Sequence, residues 1–236
     1  MSMTISDRAA RLLALDPTPS PPAFGEAAAM APAAVEAVHD ALSRGETHYT
    51  DRPGILPLRE KVASLLNRRF GLSFDAGRIT LTCGVTEARF VTVQQLLPSG
   101  GLVAAPLHAD RIAGAVIVRD GRLTHDLKEA DLLFAAAGAT PTVIREWLAH
   151  VPSRCIVVYE VDTRADRFHP AQAAGFENRV VTIGSLDDEH GLAGARLGYL
   201  AASAGQAAGL RDFKQALTIC STNLSQWAAL AVVEDL

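Results

Sequence analysis

The sequence predicts an α/β protein whose sheet of about seven mostly parallel strands is covered by helices on both faces. Three observations carry this. From residue 78 onward, short and often wholly apolar runs recur, the pattern of strands covered on both sides. Stretches with helical character separate them, as crossover connections between parallel strands require. Finally, 49% hydrophobic and 20% charged residues in a chain of 236 give a globular composition with ample material for a core.

In chain order, residues 1–23 read as a mobile arm: Leu12, Leu13 and Leu15 offer a short apolar turn, after which Pro17, Pro19, Pro21 and Pro22 forbid a helix. Val35, Val38 and Leu42 recur at helical spacing from about Pro32 to Leu42, ended by Gly45. The loop His48-Tyr49-Thr50-Asp51-Arg52-Pro53-Gly54 precedes a helix from about Leu56 to Phe70. The alternation then begins with a strand at Arg78–Thr82, a turn at Gly84-Val85-Thr86 and a helix at Glu87–Leu97. Further strands are expected at 102–105, 115–118, 132–135, 156–160, 180–183 and 197–201, and closing helices at 204–219 and 224–236.

Net charge of −4 gives no electrostatic reason to expect nucleic acid or an anionic membrane as partner. No apolar run approaches membrane-spanning length. Cys83, Cys155 and Cys220 are odd in number and widely spaced, which suits reduced, mostly buried thiols and a cytoplasmic location. The only lysines are Lys61, Lys128 and Lys214.

Two segments carry candidate chemistry. Gly84-Val85-Thr86 follows a strand and opens a helix, so its N–H groups and hydroxyl can hold an anion at the positive end of the helix dipole; ordinary helix capping is the plainer reading. Ser185 and Arg196 flank a glycine-punctuated loop between two strands, where a hydroxyl and a guanidinium fork can converge on phosphate oxygens. The intervening Asp187-Asp188-Glu189-His190 also admits a metal reading, but consecutive residues rarely point at one ion, and a solvated acidic loop is preferred.

The stretch 185–199 resembles the cofactor-lysine segment of class I/II aminotransferases, the pyridoxal-phosphate (PLP) enzymes of fold type I. Ser185, Gly191-Leu192-Ala193-Gly194, Arg196 and Gly198-Tyr199 match in register, while the Schiff-base lysine is replaced by Asp188. Tyr49, Gly54 and Leu58-Arg59 match the family's Tyr-x4-Gly-x3-Leu-Arg, and Thr82-x-Gly84-x-Thr86-Glu87-Ala88 its first phosphate-binding element. The resemblance implies a seven-stranded large domain. It also implies phosphate contacts from Gly84, Val85, Thr86, Ser185 and Arg196, with Tyr49 serving the neighbouring subunit's site. His108 stands where the family stacks an aromatic ring on the cofactor.

Other ring contacts depart from the pattern. The family's asparagine is Thr140, its ring-nitrogen aspartate is Tyr159, and its tyrosine is Asp162. A carboxylate at 188 cannot form a Schiff base, so no tight PLP binding and no transamination are expected, only weak PLP or phosphate binding. The expected protein is a large domain over 24–236 without the family's C-terminal small domain. It would act as a homodimer or as partner of an active aminotransferase-like subunit. The competing expectation is lysine-independent chemistry in the same cleft, with Asp188, Glu189, His190 or His108 as acid or base.

Overall fold

The computed structural model describes residues 29–136, 138–161, 168–186 and 191–234. The arm expected at 1–23 lies outside them, as do Asp162 and the whole 187–190 stretch with Asp188.

Seven strands form one sheet in the order β1-β7-β6-β5-β4-β2-β3: β1 Ile79–Thr82, β2 Leu102–Ala104, β3 Arg122–Thr124, β4 Leu132–Ala135, β5 Ile156–Glu160, β6 Val180–Ser185 and β7 Gly198–Ala201. Pairings β2–β3, β2–β4, β4–β5 and β5–β6 are parallel; β7 runs antiparallel to both β1 and β6. The expected fold class therefore holds. The helices are α1 Pro32–Ser43, α2 Leu56–Phe70, α3 Gly84–Leu96, α4 Asp110–Val118, α5 Pro141–His150, α6 Ala204–Thr218 and α7 Asn223–Val232.

One strand was expected in the wrong place. Ala115–Val118 is the last turn of helix α4, which buries Ile112 and Val116 four residues apart on one face. The strand at that edge is instead Arg122–Thr124, only three residues long with a single apolar side chain, Leu123, which is exposed, so it carries no apolar run. The stripe expected to bury α1 is also displaced. Val35 and Leu42 are exposed while Val38 is half-buried against the core, and the helix packs chiefly through Ala34 and Ala41, small residues that allow close approach to α7.

Each face of the sheet has its own core. Leu58, Val62, Leu66 and Phe70 of α2, with Ile144 of α5 and Ala229 of α7, cover one face. Val91 of α3, Ile112 and Val116 of α4 and Leu210 of α6 cover the other. The carboxyl ends of β1, β2, β4, β5 and β6 share one edge, where ligands of open α/β sheets bind. Thr82, Glu160 and Ser185 end strands there, and β7 starts there at Gly198.

Candidate functional site

The Gly84 turn is built by close approach. Gly84 has φ +76°, and a Cβ placed on it would lie 2.9 Å from Arg196 Nη2 and 3.1 Å from Cζ, so the guanidinium lies across the turn. A Cβ on Gly198 would sit 2.7 Å from Gly84 C and Val85 N and 2.9 Å from Gly184 O. Glycine at 198 thus lets β7 and the mouth of α3 touch. Ser185, half-buried, is the register partner of Gly198, so Gly84, Val85, Ser185 and Arg196 are gathered at one point. Thr82 Oγ1 donates to Gly84 O at 3.0 Å and fixes the turn from below. The first N–H groups of a helix have no intrahelical acceptor, and Thr86 in the first turn is exposed. Arg196 is exposed, in a left-handed conformation (φ 52°), and has no hydrogen bond or ion pair among the described residues. This end of the edge can hold a small anion.

The remaining positions do not join it. Tyr49 is 68% exposed, set edge-on to His48 at 5.1 Å. It borders a different cleft of about 620 Å³, lined by Glu46–Tyr49, Thr218 and Cys220–Leu224. The rest of its pattern is structural. Gly54 (φ +103°) takes the approach of Leu81, Leu58 is fully buried, and Arg59 donates to Gly54 O at 2.9 Å and Ala76 O at 2.6 Å. His108 is exposed with φ 54° in the loop that opens α4. Thr140 caps α5, its Oγ1 accepting from the Val143 N–H at 3.4 Å.

The β5 end is filled by its own contacts. Tyr159 is buried on the α2 face, its ring 6.4 Å from Phe70 and 5.0 Å from His169. His169 is fully buried: Nδ1 accepts from the Ala171 N–H at 3.1 Å, leaving Nε2–H to donate to Thr182 Oγ1 at 2.8 Å. Burial lowers its pKa to about 3, so the ring is neutral. On the opposite face, Glu160 is held by Arg89 of α3 through Nε–Oε2 and Nη2–Oε1 bonds of 2.7 Å each, and by Arg111 of α4 at 2.8 Å. These ion pairs escaped sequence reading because Glu160 lies 71 and 49 residues from its partners. No group of three or more metal-ligating side chains occurs among the described residues, and no described helix is long and apolar enough to cross a membrane.

A relative described as the arginine–pyruvate transaminase of Pseudomonas aeruginosa is 24% identical, the alignment covering 85% of this chain and 59% of that protein. The aspartate aminotransferase of Thermotoga maritima is 27% identical, over 82% of this chain and 60% of its own. Among solved structures, N-succinyldiaminopimelate aminotransferase from Mycobacterium tuberculosis superposes with a TM-score of 0.76 at 22% identity, covering 95% of this chain and 67% of that one. The chain is aminotransferase-like. Its sequence and structure neighbours are class I/II aminotransferases, PLP enzymes of fold type I. No family model matches it. It spans about three-fifths of the length of these curated relatives.

The aminotransferase-like edge fits the PLP of that fold at one end only. Gly84, Val85, Ser185 and Arg196 suit a phosphate group. The ring end does not fit: Tyr159 is packed away with His169, Glu160 is consumed by two arginines, and Thr140 caps a helix. No chemical step is therefore derived through the cofactor.

Proposed function

We propose that this aminotransferase-like chain keeps a phosphate-type anion site at the Gly84 turn, has lost PLP catalysis, and works as a binding or partner subunit. The observation that carries the reading is Arg196. An exposed guanidinium with no partner among the described residues, lying across a glycine turn at a helix mouth, is what a bound anion needs. Val85 and Thr86 supply further N–H groups, and Ser185 a hydroxyl. Asp188 in place of the lysine removes the amine on which the family's covalent chemistry depends.

Energetics favour weak binding. A handful of charge-assisted hydrogen bonds at roughly 1.5–3 kcal/mol each only offsets an association cost of roughly 4–15 kcal/mol. Calorimetry with phosphate and with PLP should register weak binding that Arg196→Ala abolishes. An absorption band of a PLP–lysine Schiff base, lost on borohydride treatment, would overturn the loss of catalysis. The partner role draws support from Tyr49, a large aromatic side chain exposed at the rim of a cleft. Sedimentation at micromolar concentration tests it: a stable monomer that also fails to bind an active aminotransferase-like subunit removes that part of the reading.

A further inference from the structure

Lys214 is an unusual lysine. It is fully buried on α6, and its Nζ has no hydrogen-bond partner among the described residues. Lysines are almost never fully buried unless paired, because an ammonium stripped of water is costly. Helical spacing sets Lys214 one turn before Thr218, on the face that meets the first turn of α3. There Thr218 Oγ1 donates to Glu87 Oε1 at 2.8 Å, and the Cys83 N–H donates to Glu87 Oε2 at 2.6 Å. Both carboxylate oxygens are engaged by neutral donors, and Lys214 makes no ion pair within 4.0 Å among the described residues.

The α3 mouth presents Cys83 and Glu87, and the segment after α6 presents Cys220. Strand β1, Ile79–Thr82, has no titratable side chain. The 76–78 turn adds Arg78, whose guanidinium is turned to Asp75 at 3.6 Å. Burial lowers the Lys214 pKa, with Glu87 opposing as the largest raising influence. Two basic side chains thus border the Gly84 turn: Arg196 lies across it exposed to solvent, and Lys214 is sealed against Cys83 and Glu87, which bracket it.

We propose that Lys214 is the proton-accepting amine of the anion site at the 83–86 turn, so that an anion seated there draws one proton from solvent onto Nζ. The inference rests on the anion site proposed above and deepens it. The proton comes from water or buffer and nothing leaves the anion. A fixed negative charge beside a poorly solvated amine stabilises its ammonium form more than it would in water. The coupling is reciprocal: the anion raises the Lys214 pKa, and protonated Lys214 binds the anion more tightly. Affinity therefore falls as pH rises from the free toward the anion-bound pKa, and levels off above it.

Sulfate is the probe, because it keeps its charge across the working pH range and any proton taken up belongs to the protein. Calorimetric titration across a range of pH, in two buffers of different ionisation enthalpy, should register uptake of up to about one proton per sulfate, and affinity should fall by up to about tenfold per pH unit between the free and the sulfate-bound pKa of Lys214. Lys214→Met should bind sulfate more weakly, without proton uptake or pH dependence. Lys214→Arg, permanently charged, should bind without uptake, and it decides the matter should the methionine variant not fold. Absence of uptake in the unaltered protein, or uptake that persists in Lys214→Met or Lys214→Arg, overturns the role of Lys214. Arg196→Ala separates the two claims. If it abolishes sulfate binding while the Lys214 variants change nothing, the anion site stands and Lys214 has no part in it. If Arg196→Ala changes nothing, or the unaltered protein binds no sulfate, the site and the inference fall together.

Discussion

The turn at Gly84–Thr86 and the strand end at Tyr159–Glu160 lie on the same edge of one sheet and have opposite chemistry. At the turn, donors are left over: the helix mouth is open and Arg196 is exposed with no partner among the described residues. At the strand end they are used up. Glu160 is bound by Arg89 and Arg111, and Tyr159 is packed with Phe70 and His169. A fold can keep one half of an edge available to a ligand while the other half becomes ordinary core and ion-pair structure. What separates them is whether neighbouring side chains compete for the polar groups.

The sharpest way to break this comparison is Glu160→Gln. The carboxylate is 5% exposed and neutralises one of two guanidiniums, so its removal leaves cations in a poorly solvated place. Breaking a buried pair by removing one partner costs about 3–5 kcal/mol. Denaturant unfolding should register a loss of that size, while sulfate binding by the folded variant persists. Unchanged stability would mean that the Glu160 cluster is as available to ligands as the turn.

The next effect is acid sensitivity of the strand end. His169 ordinarily titrates near 6.5 but is held at about 3 in the fold by burial. The unfolded chain therefore binds the extra proton between those values, and His169 contributes stability that is present above pH 6.5 and lost as pH falls toward 3. The slope approaches about 1.4 kcal/mol per pH unit within that window. His169→Gln cannot titrate, and its stability profile should lose that slope. If both proteins give the same profile, His169 is not the group responsible.

The turn has its own structural test. Gly198→Ala drives a Cβ against backbone atoms of Gly84 and Val85 at 2.7 Å, so the strand or the helix mouth must shift. Overpacking of this kind costs about 1–3 kcal/mol. Sulfate binding should be lost along with it, because Arg196 lies only two residues before Gly198 and is set across the turn by the same close approach. Retained binding at full affinity would separate the anion site from this close approach.

Much of this fold was legible in the sequence because glycines and apolar runs punctuate it. The α2 helix and the strands at 132–135 and 156–160 fell where expected. Ala115–Val118 was misread because a β-branched run in a helix looks like a strand over four residues, whereas Arg122–Thr124 has no apolar signal of its own. Gly84, Ser185, Arg196 and Gly198 were legible as a group through the resemblance of 82–88 and 185–199 to aminotransferase segments, and the close approach of Gly198 to Gly84 brings them together. Lys214 was not: its burial comes from α6 meeting the mouth of α3, about 130 residues away in sequence. The Glu160 pairs were hidden for the same reason.

The smallest expected effects come from a matched pair of threonines, one at each end of the edge. Thr140 caps α5 through a long 3.4 Å bond, and losing an N-cap hydroxyl costs about 0.5–2 kcal/mol, with the long bond placing it near the lower figure. Thr140→Ala should therefore lower stability slightly and leave sulfate affinity alone. Thr86 is exposed in the first turn of α3, where alanine is the better helix former by a few tenths of a kcal/mol. Thr86→Ala should leave stability unchanged or slightly raised and weaken sulfate binding several-fold, as expected for one lost hydrogen bond of about 1 kcal/mol. Unfolding and calorimetry on both variants give four numbers. The contrast stands only if stability moves at residue 140 and binding moves at residue 86. If Thr140→Ala weakens sulfate as much as Thr86→Ala does, the anion reaches across the edge and the two ends are one site.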